Sequence, residues 1–330
     1  MAKSVRIRDI ADISGFSAGA VSRALKGQPG IGVKPREHII QVAQKLGYDF
    51  SRLQTDKIQR VLFILHQQHN ITMSLSFYTS LLMDVEESCR EHNIALSFLV
   101  LGPGDDVEKK IRQHNPNALL IVGYLEPEML LALRQLCLPV ALVDLVSQGM
   151  NSVNPDNFRG GYLATRHLID IGRKRIAFLV SSLSHYSIQQ REKGYRQALF
   201  DAGILMPPDY EAIAPFCMDV EEALDVASRT LLELTEPPDA LFAYNDVAAM
   251  IAMRACKNKG LRIPEDIAVI GFDNIDSAAL ATPPLSTVGV ERHKLGKIGL
   301  ELLLSSDKDQ HRTLDVSLIV RDSTVKSVKS

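Results

Sequence analysis

Five short apolar runs in this chain end on polar residues whose chemistry suits the grasp of a small hydroxylated molecule. "ALLIV" leads into Gly123 and Tyr124, "VALV" into Asp144, and "RIAFLV" into Ser181 and Ser182. "ALFAY" leads into Asn245 and Asp246, and "IAVIGF" into Asp273. A carboxylate accepts from neighbouring hydroxyls, an amide such as Asn245 both donates and accepts, and a guanidinium such as Arg191 presents a planar fork. Phe77, Tyr78 and Tyr124 offer aromatic faces for stacking, with Phe216 or Met218 as an opposing wall. Phe77 suits a core position equally well. Each polar residue taken alone is accounted for by a helix cap or a surface ion pair. His185 and Tyr186, just ahead of Arg191, either help to read such a ligand or belong to a solvated loop.

Other chemistry is missing from the sequence. It contains no G-x-x-x-x-G-K-[ST], no G-x-G-x-x-G and no H-E-x-x-H. "LGPGDD" is a turn too short to cradle a phosphate. The histidines show no metal-ligand spacing, and no nucleophile stands beside a base. Cys89, Cys137, Cys217 and Cys256 are scattered without a C-x-x-C, which reads as thiols in a reducing cytoplasm. No enzyme activity, cofactor or metal is expected. No apolar run approaches the roughly 20 residues that span a bilayer, and the charged start "MAKSVRIRD" lacks the apolar core of a secretory signal. A cytoplasmic protein without a membrane partner is expected.

A second kind of chemistry sits at the N-terminus. Residues 1–60 hold eleven Lys and Arg against five Asp and Glu, a net +6. The whole chain is −2, so residues 61–330 carry −8. A basic head on an acidic body is an electrostatic footprint for a polyanion, confined to one segment. The elements that would position it are three helices. Ile7, Ile10, Ala11 and Ile13 recur at helical spacing until Gly15. Ser17 is a good N-cap for a second helix over Ala18–Leu25, with Val21, Ala24 and Leu25 inward. A third helix runs from about Val33 to Leu46, with Pro35 in its first turn and Ile39, Val42, Ala43 and Leu46 inward. Two short helices joined by a glycine turn form a helix-turn-helix. A solvated trihelical module explains the pattern but not the charge; DNA explains both.

Beyond residue 60, apolar runs alternate with amphipathic stretches at about 77–92, 105–114, 127–136, 158–171, 189–202, 220–234 and 246–259. That alternation implies an α/β fold with parallel sheets covered on both faces. In such sheets ligands bind beyond the carboxyl ends of the strands, where the polar residues named above cluster. "LDVSLIVRDSTV" would supply closing strands.

"IRDIADISGFSAGAVSRALKG" followed by "IGVKPREHIIQVAQKLGY" resembles the head of the LacI/GalR family of bacterial transcription regulators. The resemblance continues through "DNFRGGYLATRHLIDIGRKRIAFL", "REKGYRQALFDAGI", "PDALFAYNDVAAMIAMRACKNKGLRIPEDIAVIGFDN" and "PPLSTVGV". It implies a helix-turn-helix DNA-binding head at 1–50, a hinge or linker at 51–60, and an effector-binding and dimerisation domain at 61–330. The last would have a periplasmic-binding-protein-like fold of two halves, about 61–156 with 286–316 and about 157–285 with 317–330. It implies a repressor acting as a homodimer or higher oligomer on a pseudo-palindromic double-stranded operator, released by a small sugar or sugar derivative. Residues matching Arg191, Asn245 and Asp273 contact the effector in similar family members; Asp144, Tyr124 and Phe77 are the further candidates. DNA contacts would come from Ile7, Ser17, Ala18, Gly19, Ala20, Ser22, Arg23 and Lys26. The alternatives are a corepressor-responsive regulator, as in purine-responsive relatives, and an α/β enzyme or a solute-binding protein carrying an unusual N-terminus.

One segment departs from the family pattern. There the linker usually carries a Pro-Asn pair, alanines, and a leucine that wedges into the minor groove to bend the duplex. Here Phe50 stands in place of the proline and Lys57 in place of the leucine, leaving Leu53 or Ile58 as substitutes. The operator should therefore be bent less than is usual. A circular-permutation gel should show little position-dependent mobility, and Lys57→Ala should lower the salt slope of binding by about one. A strong kink would overturn this expectation.

Overall fold

Three helices, α1 (Ile7–Ser14), α2 (Ala18–Leu25) and α3 (Val33–Lys45), close on a small core of Ile10, Val21, Leu25, Ile39 and Tyr48. These coordinates are a computed structural model that describes residues 5–26, 30–48, 50, 58–69, 75–215 and 218–325. Gly15 ends α1 in the left-handed region at φ 75°, where its N–H reaches the Ala11 carbonyl. Ile13 points to solvent, 59% exposed, because the inward stripe from Ile10 falls on Ser14 one turn later. Phe50 is half-buried against this core, its ring edge-on to Tyr48 at 5.5 Å, so the linker's unusual residue belongs to the head. Leu53 and Lys57 lie outside the described residues. Ile58 packs against the core of the body and is not available as a wedge.

The body holds two six-stranded sheets. The first has the order β11-β5-β4-β3-β1-β2, all parallel: β1 is Arg60–His66, β2 Ala95–Leu101, β3 Ala118–Val122, β4 Val140–Val143, β5 Asn151–Pro155 and β11 His311–Leu314. The second has the order β12-β10-β9-β8-β6-β7, with β6 Ile176–Val180, β7 Glu211–Ile213, β8 Ala240–Ala243, β9 Ala268–Asp273, β10 Ser286–Val290 and β12 Val316–Ile319. Its strands are parallel except β12, which runs antiparallel to β10. Every residue of β3, β6 and β8 is buried, as expected where helices cover both faces. Helices α4 (Leu75–Glu91), α5 (Val107–His114), α6 (Pro127–Gln135) and α12 (Arg292–Leu304) serve the first sheet. Helices α7 (Asn157–Asp170), α8 (Tyr186–Asp201), α9 (Val220–Leu232), α10 (Asp246–Asn258) and α11 (Asp276–Leu280) serve the second. Arg36 of α3 faces Glu108 of α5 at 4.0 Å, joining head to first half.

The chain passes between the halves three times, each time through one residue. Asp156 separates β5 from α7, Glu291 separates β10 from α12, and Asp315 separates β11 from β12. The sequence places the second passage at Leu285, one strand too early. "STVGV" pairs in parallel with β9, so residues 286–290 belong to the second half.

Helices α7 and α8 meet at glycines. A Cβ on Gly161 would overlap the Arg191 carbonyl, one on Gly194 the Phe158 carbonyl, and one on Gly160 the Phe272 ring. Overpacking of this kind costs about 1–3 kcal/mol. Gly161→Ala should lower Tm and, by shifting α8, perturb Arg191. Thermal unfolding beside the wild type measures this; an unchanged Tm would contradict the close contact.

Candidate functional site

The head presents a narrow polar face. Ser17, Ala18, Gly19 and Arg23 are exposed, while Ile7, Ala20, Ser22 and Lys26 are half-buried beside them. Ser17 caps α2, its hydroxyl oxygen accepting from the Ala20 N–H at 3.2 Å. That leaves its O–H free to donate outward. Nothing stands within 4 Å of where a Gly19 Cβ would be, so the first turn exposes backbone rather than side chain. The positive end of α2 is thus open, with no side-chain bulk over it. Arg23, one turn on, is the long donor of that face.

The second site lies between the halves and is organised by Arg191. This guanidinium is 5% exposed and is held from three sides. Its Nε donates to Asn157 Oδ1 at 2.9 Å, its Nη1 to the Tyr244 carbonyl at 2.5 Å, and its Nη2 to Asp273 Oδ1 at 3.4 Å. The Phe272 ring lies beneath it, 3.6 Å from the guanidinium carbon, within cation–π range. Asn157, Tyr244 and Phe272 were not legible as site residues. A backbone carbonyl leaves no trace in a sequence, and Asn157 and Phe272 read as a helix start and a buried strand residue.

Asp144 and Asp273 end β4 and β9 from opposite halves, each 8% exposed and each with positive φ, 58° and 107°. Backbone held there costs on the order of 1–3 kcal/mol and is found where geometry serves a site. Burial pushes the Asp273 carboxyl up to about 8; Arg191 opposes that rise, and Asp246 and Asp144 add to it. Burial likewise raises Asp144 to about 6, against Arg191 and hydrogen bonds from Ser187 and Asn157. Asp144 Oδ1 is enclosed yet has no partner among the described residues. Asp246 plays an internal part: its oxygens accept from Thr287 Oγ1 at 2.5 Å and the Ile275 N–H at 2.9 Å. Asn245 caps α10, its Oδ1 accepting from the Ala248 N–H at 2.8 Å, and its amide also bonds the Tyr244 phenol.

The aromatic expectations divide. Phe77 is buried in the core of the first half, 7% exposed, because α4 turns it onto the sheet. It is Tyr78, edge-on to Phe77 at 5.2 Å, that stands among Asp144, Asp273, Arg191 and Tyr244, and burial there raises its phenol well above the usual range. Tyr124 stacks on His185 at 4.7 Å and 29° across the halves. His66 meets the Tyr124 ring edge-on at 5.6 Å and lies 3.0 Å from Glu126. Gln68 Nε2 reaches His185 Nε2 at 3.0 Å. Burial, then His66 and Arg191, push the His185 imidazole down to about 4, so it is neutral and can accept that bond. Sequence spacing placed His185 close to Arg191 but could not show this bridge. Met218 is 38% exposed on the surface, and Phe216 lies outside the described residues.

Among the described residues no helix is long and apolar enough to cross a membrane, and no cluster of His, Cys, Asp and Glu could hold a metal. Residues 165–324 match a family model described as a periplasmic binding protein-like domain. Over 322 residues the chain is 27% identical to the HTH-type transcriptional repressor PurR of Aliivibrio salmonicida, covering 92% of this chain and 93% of that one. Among solved structures it is similar to a complex of the transcriptional regulator CelR with cellobiose, with TM-score 0.72, 23% identity, and coverage of 97% and 99%. It is also similar to the lac repressor dimer bound to operator and the anti-inducer ONPF, with TM-score 0.69, 22% identity, and coverage of 98% and 100%.

The buried carboxyls fix the sign of a pH response. Asp273 titrates near 8 when folded and near 3.8 as a free side chain. Its protonated form is therefore favoured by folding. That contribution is complete below about pH 4 and is lost as pH rises through 8. Asp144 and Asp246, raised to about 6 and about 7, act in the same direction. Asp273→Asn, which carries no titrating proton, should gain Tm relative to wild type as pH rises from 5 to 9. Parallel curves across that range would contradict the assignment.

Proposed function

We propose that the chain is a member of the LacI/GalR family of transcription regulators, that its head grips a pseudo-palindromic operator, and that a small sugar-like effector enters the Arg191 cleft and releases it. It is a DNA-binding transcriptional repressor controlled by an effector, not an enzyme. A two-fold homodimer would present two equivalent α2 helices to two half-sites. The observation that carries the effector reading is the meeting of Asp144 and Asp273 from opposite halves around one guanidinium. A molecule bonding both carboxyls would couple the halves, and through them the spacing of the heads. A polyhydroxylated ring suits these acceptors, and Tyr78 and Tyr124 suit its apolar face.

A second reading, in which a flat nucleobase strengthens operator binding, is favoured by the Tyr124–His185 stack at the cleft and by the relatedness to PurR. The sign of the change in operator affinity on adding sugars or nucleobases separates the two.

The roles of head and cleft separate by mutation. Arg23→Ala should cost about 1–3 kcal/mol at the operator and relax one base pair per half-site, while the ligand response of the remaining binding persists. Asp273→Ala should weaken the effector at least about tenfold, since a buried polar group left without its partner costs about 1–3 kcal/mol, and leave the ligand-free protein bound to its operator. Loss of operator binding and thermal stability together in Asp273→Ala would make the residue structural instead. An unchanged operator preference in Arg23→Ala, selected from random DNA, would remove that residue from base readout.

A further inference from the structure

Donors and acceptors in the cleft do not balance, and the imbalance identifies what is missing. Two nitrogens of Arg191 are committed to Asn157 and to the Tyr244 carbonyl, and the third reaches Asp273 only at 3.4 Å. Asp246, close by, spends both oxygens on the Ile275 N–H and on Thr287. Asp144 keeps one enclosed oxygen without a partner among the described residues, although the residue is 8% exposed. An anion entering here would meet three carboxyl groups beside a guanidinium that already has three of its five N–H groups engaged. A donor entering here meets acceptors with capacity to spare on both walls.

Taking this cleft as the effector site, we propose that the effector carries no negative charge and offers hydrogen-bond donors at two ends, one for Asp144 and one for Asp273, an amino group being preferred to a hydroxyl. Phosphorylated and carboxylated metabolites are thereby excluded. The groups facing Asp273 are Asp144 at the end of β4, Asp246 on α10, Arg191 on α8, Arg292 on α12, and the phenols of Tyr78 on α4 and Tyr244 after β8. The negative neighbours and burial keep a proton on the empty carboxyl near neutral pH. When an ammonium arrives, the Asp273 O–H bond breaks and its electron pair stays on the carboxylate. The N–H donors bond that oxygen, and the proton passes to the buffer. One positive charge enters and one leaves, so the cleft's net charge is preserved.

The test uses the full chain and two matched triplets: D-glucosamine, D-glucose and D-glucose 6-phosphate, and adenosine, inosine and inosine 5′-monophosphate. Affinities come from calorimetry at pH 7 in two buffers of different ionisation enthalpy, and function from operator binding in the same solutions. In a triplet that binds, the amino member should be at least about tenfold tighter than the phosphate, and for D-glucosamine, whose amine arrives as an ammonium, the heat should depend on the buffer in the sense of proton release. Asp144→Asn, which keeps shape and loses charge, should bring D-glucosamine and D-glucose, or adenosine and inosine, closer in affinity. A phosphate bound as tightly as its uncharged parent overturns the inference, as does the absence of binding by all six compounds at millimolar concentration. Failure of the underlying reading looks different: a compound would then alter operator binding equally in wild type and in Arg191→Lys.

Discussion

A guanidinium buried to 5% exposure is costly unless acceptors surround it, and much of the second half is arranged around supplying them. Arg191 reaches its partners because α8 approaches α7 without intervening side chains at Gly161 and Gly194. It rests on Phe272 because Gly160 leaves room for that ring. The Tyr244 carbonyl and Asp273 come from the ends of adjacent strands β8 and β9, so the parallel register of the sheet sets the distance between two of its acceptors. A parallel sheet, a glycine-lined helix pair and a positive-φ aspartate thus answer to one side chain.

Much of this was legible because it obeys strong periodicities. Fully buried strands such as β3 and β8 write themselves as unbroken apolar runs, and the head's inward residues fall at 3.6-residue spacing. What escaped was polar or short. Strands β5 ("NSVNP"), β7 ("EAI"), β10 ("STVGV") and β11 ("HRTL") carry no apolar run, because their side chains do other work. Asn151, for example, donates to the carbonyls of Leu302 and Asp307, stitching β5 to the segment after α12. Phe77 and Tyr78 show the limit of residue-type reasoning in the site itself. Both are aromatic and adjacent, and one step of helical rotation decides which faces the core and which the carboxyls. Asp144 and Asp273 are suggested by their places at strand ends, and Arg191 and Asp273 by the family resemblance; Tyr244 acts through a backbone carbonyl that residue type does not reveal.

The bridge of Gln68, Tyr124 and His185 adds a constraint of another kind. Two aromatic rings and one hydrogen bond join the halves here. The imidazole is kept neutral by burial beside His66 and Arg191. Any molecule that enters must either leave this contact in place and fit behind it, or replace what it contributes. The cleft is therefore selective by shape at one edge and by donors and acceptors at the other.

The three single-residue passages at Asp156, Glu291 and Asp315 carry a mechanical consequence. One residue spans only about 3.5 Å, so the halves have almost no slack with which to draw apart or slide. They can swivel, since each passage retains two soft dihedral angles. Three short tethers of this kind oppose separation and sliding of the halves more than they oppose rotation. Asp156 also caps α7, and Asp315 pairs with Arg159 in that helix's first turn at 3.5 Å, so two of the three tethers are anchored to one rigid element.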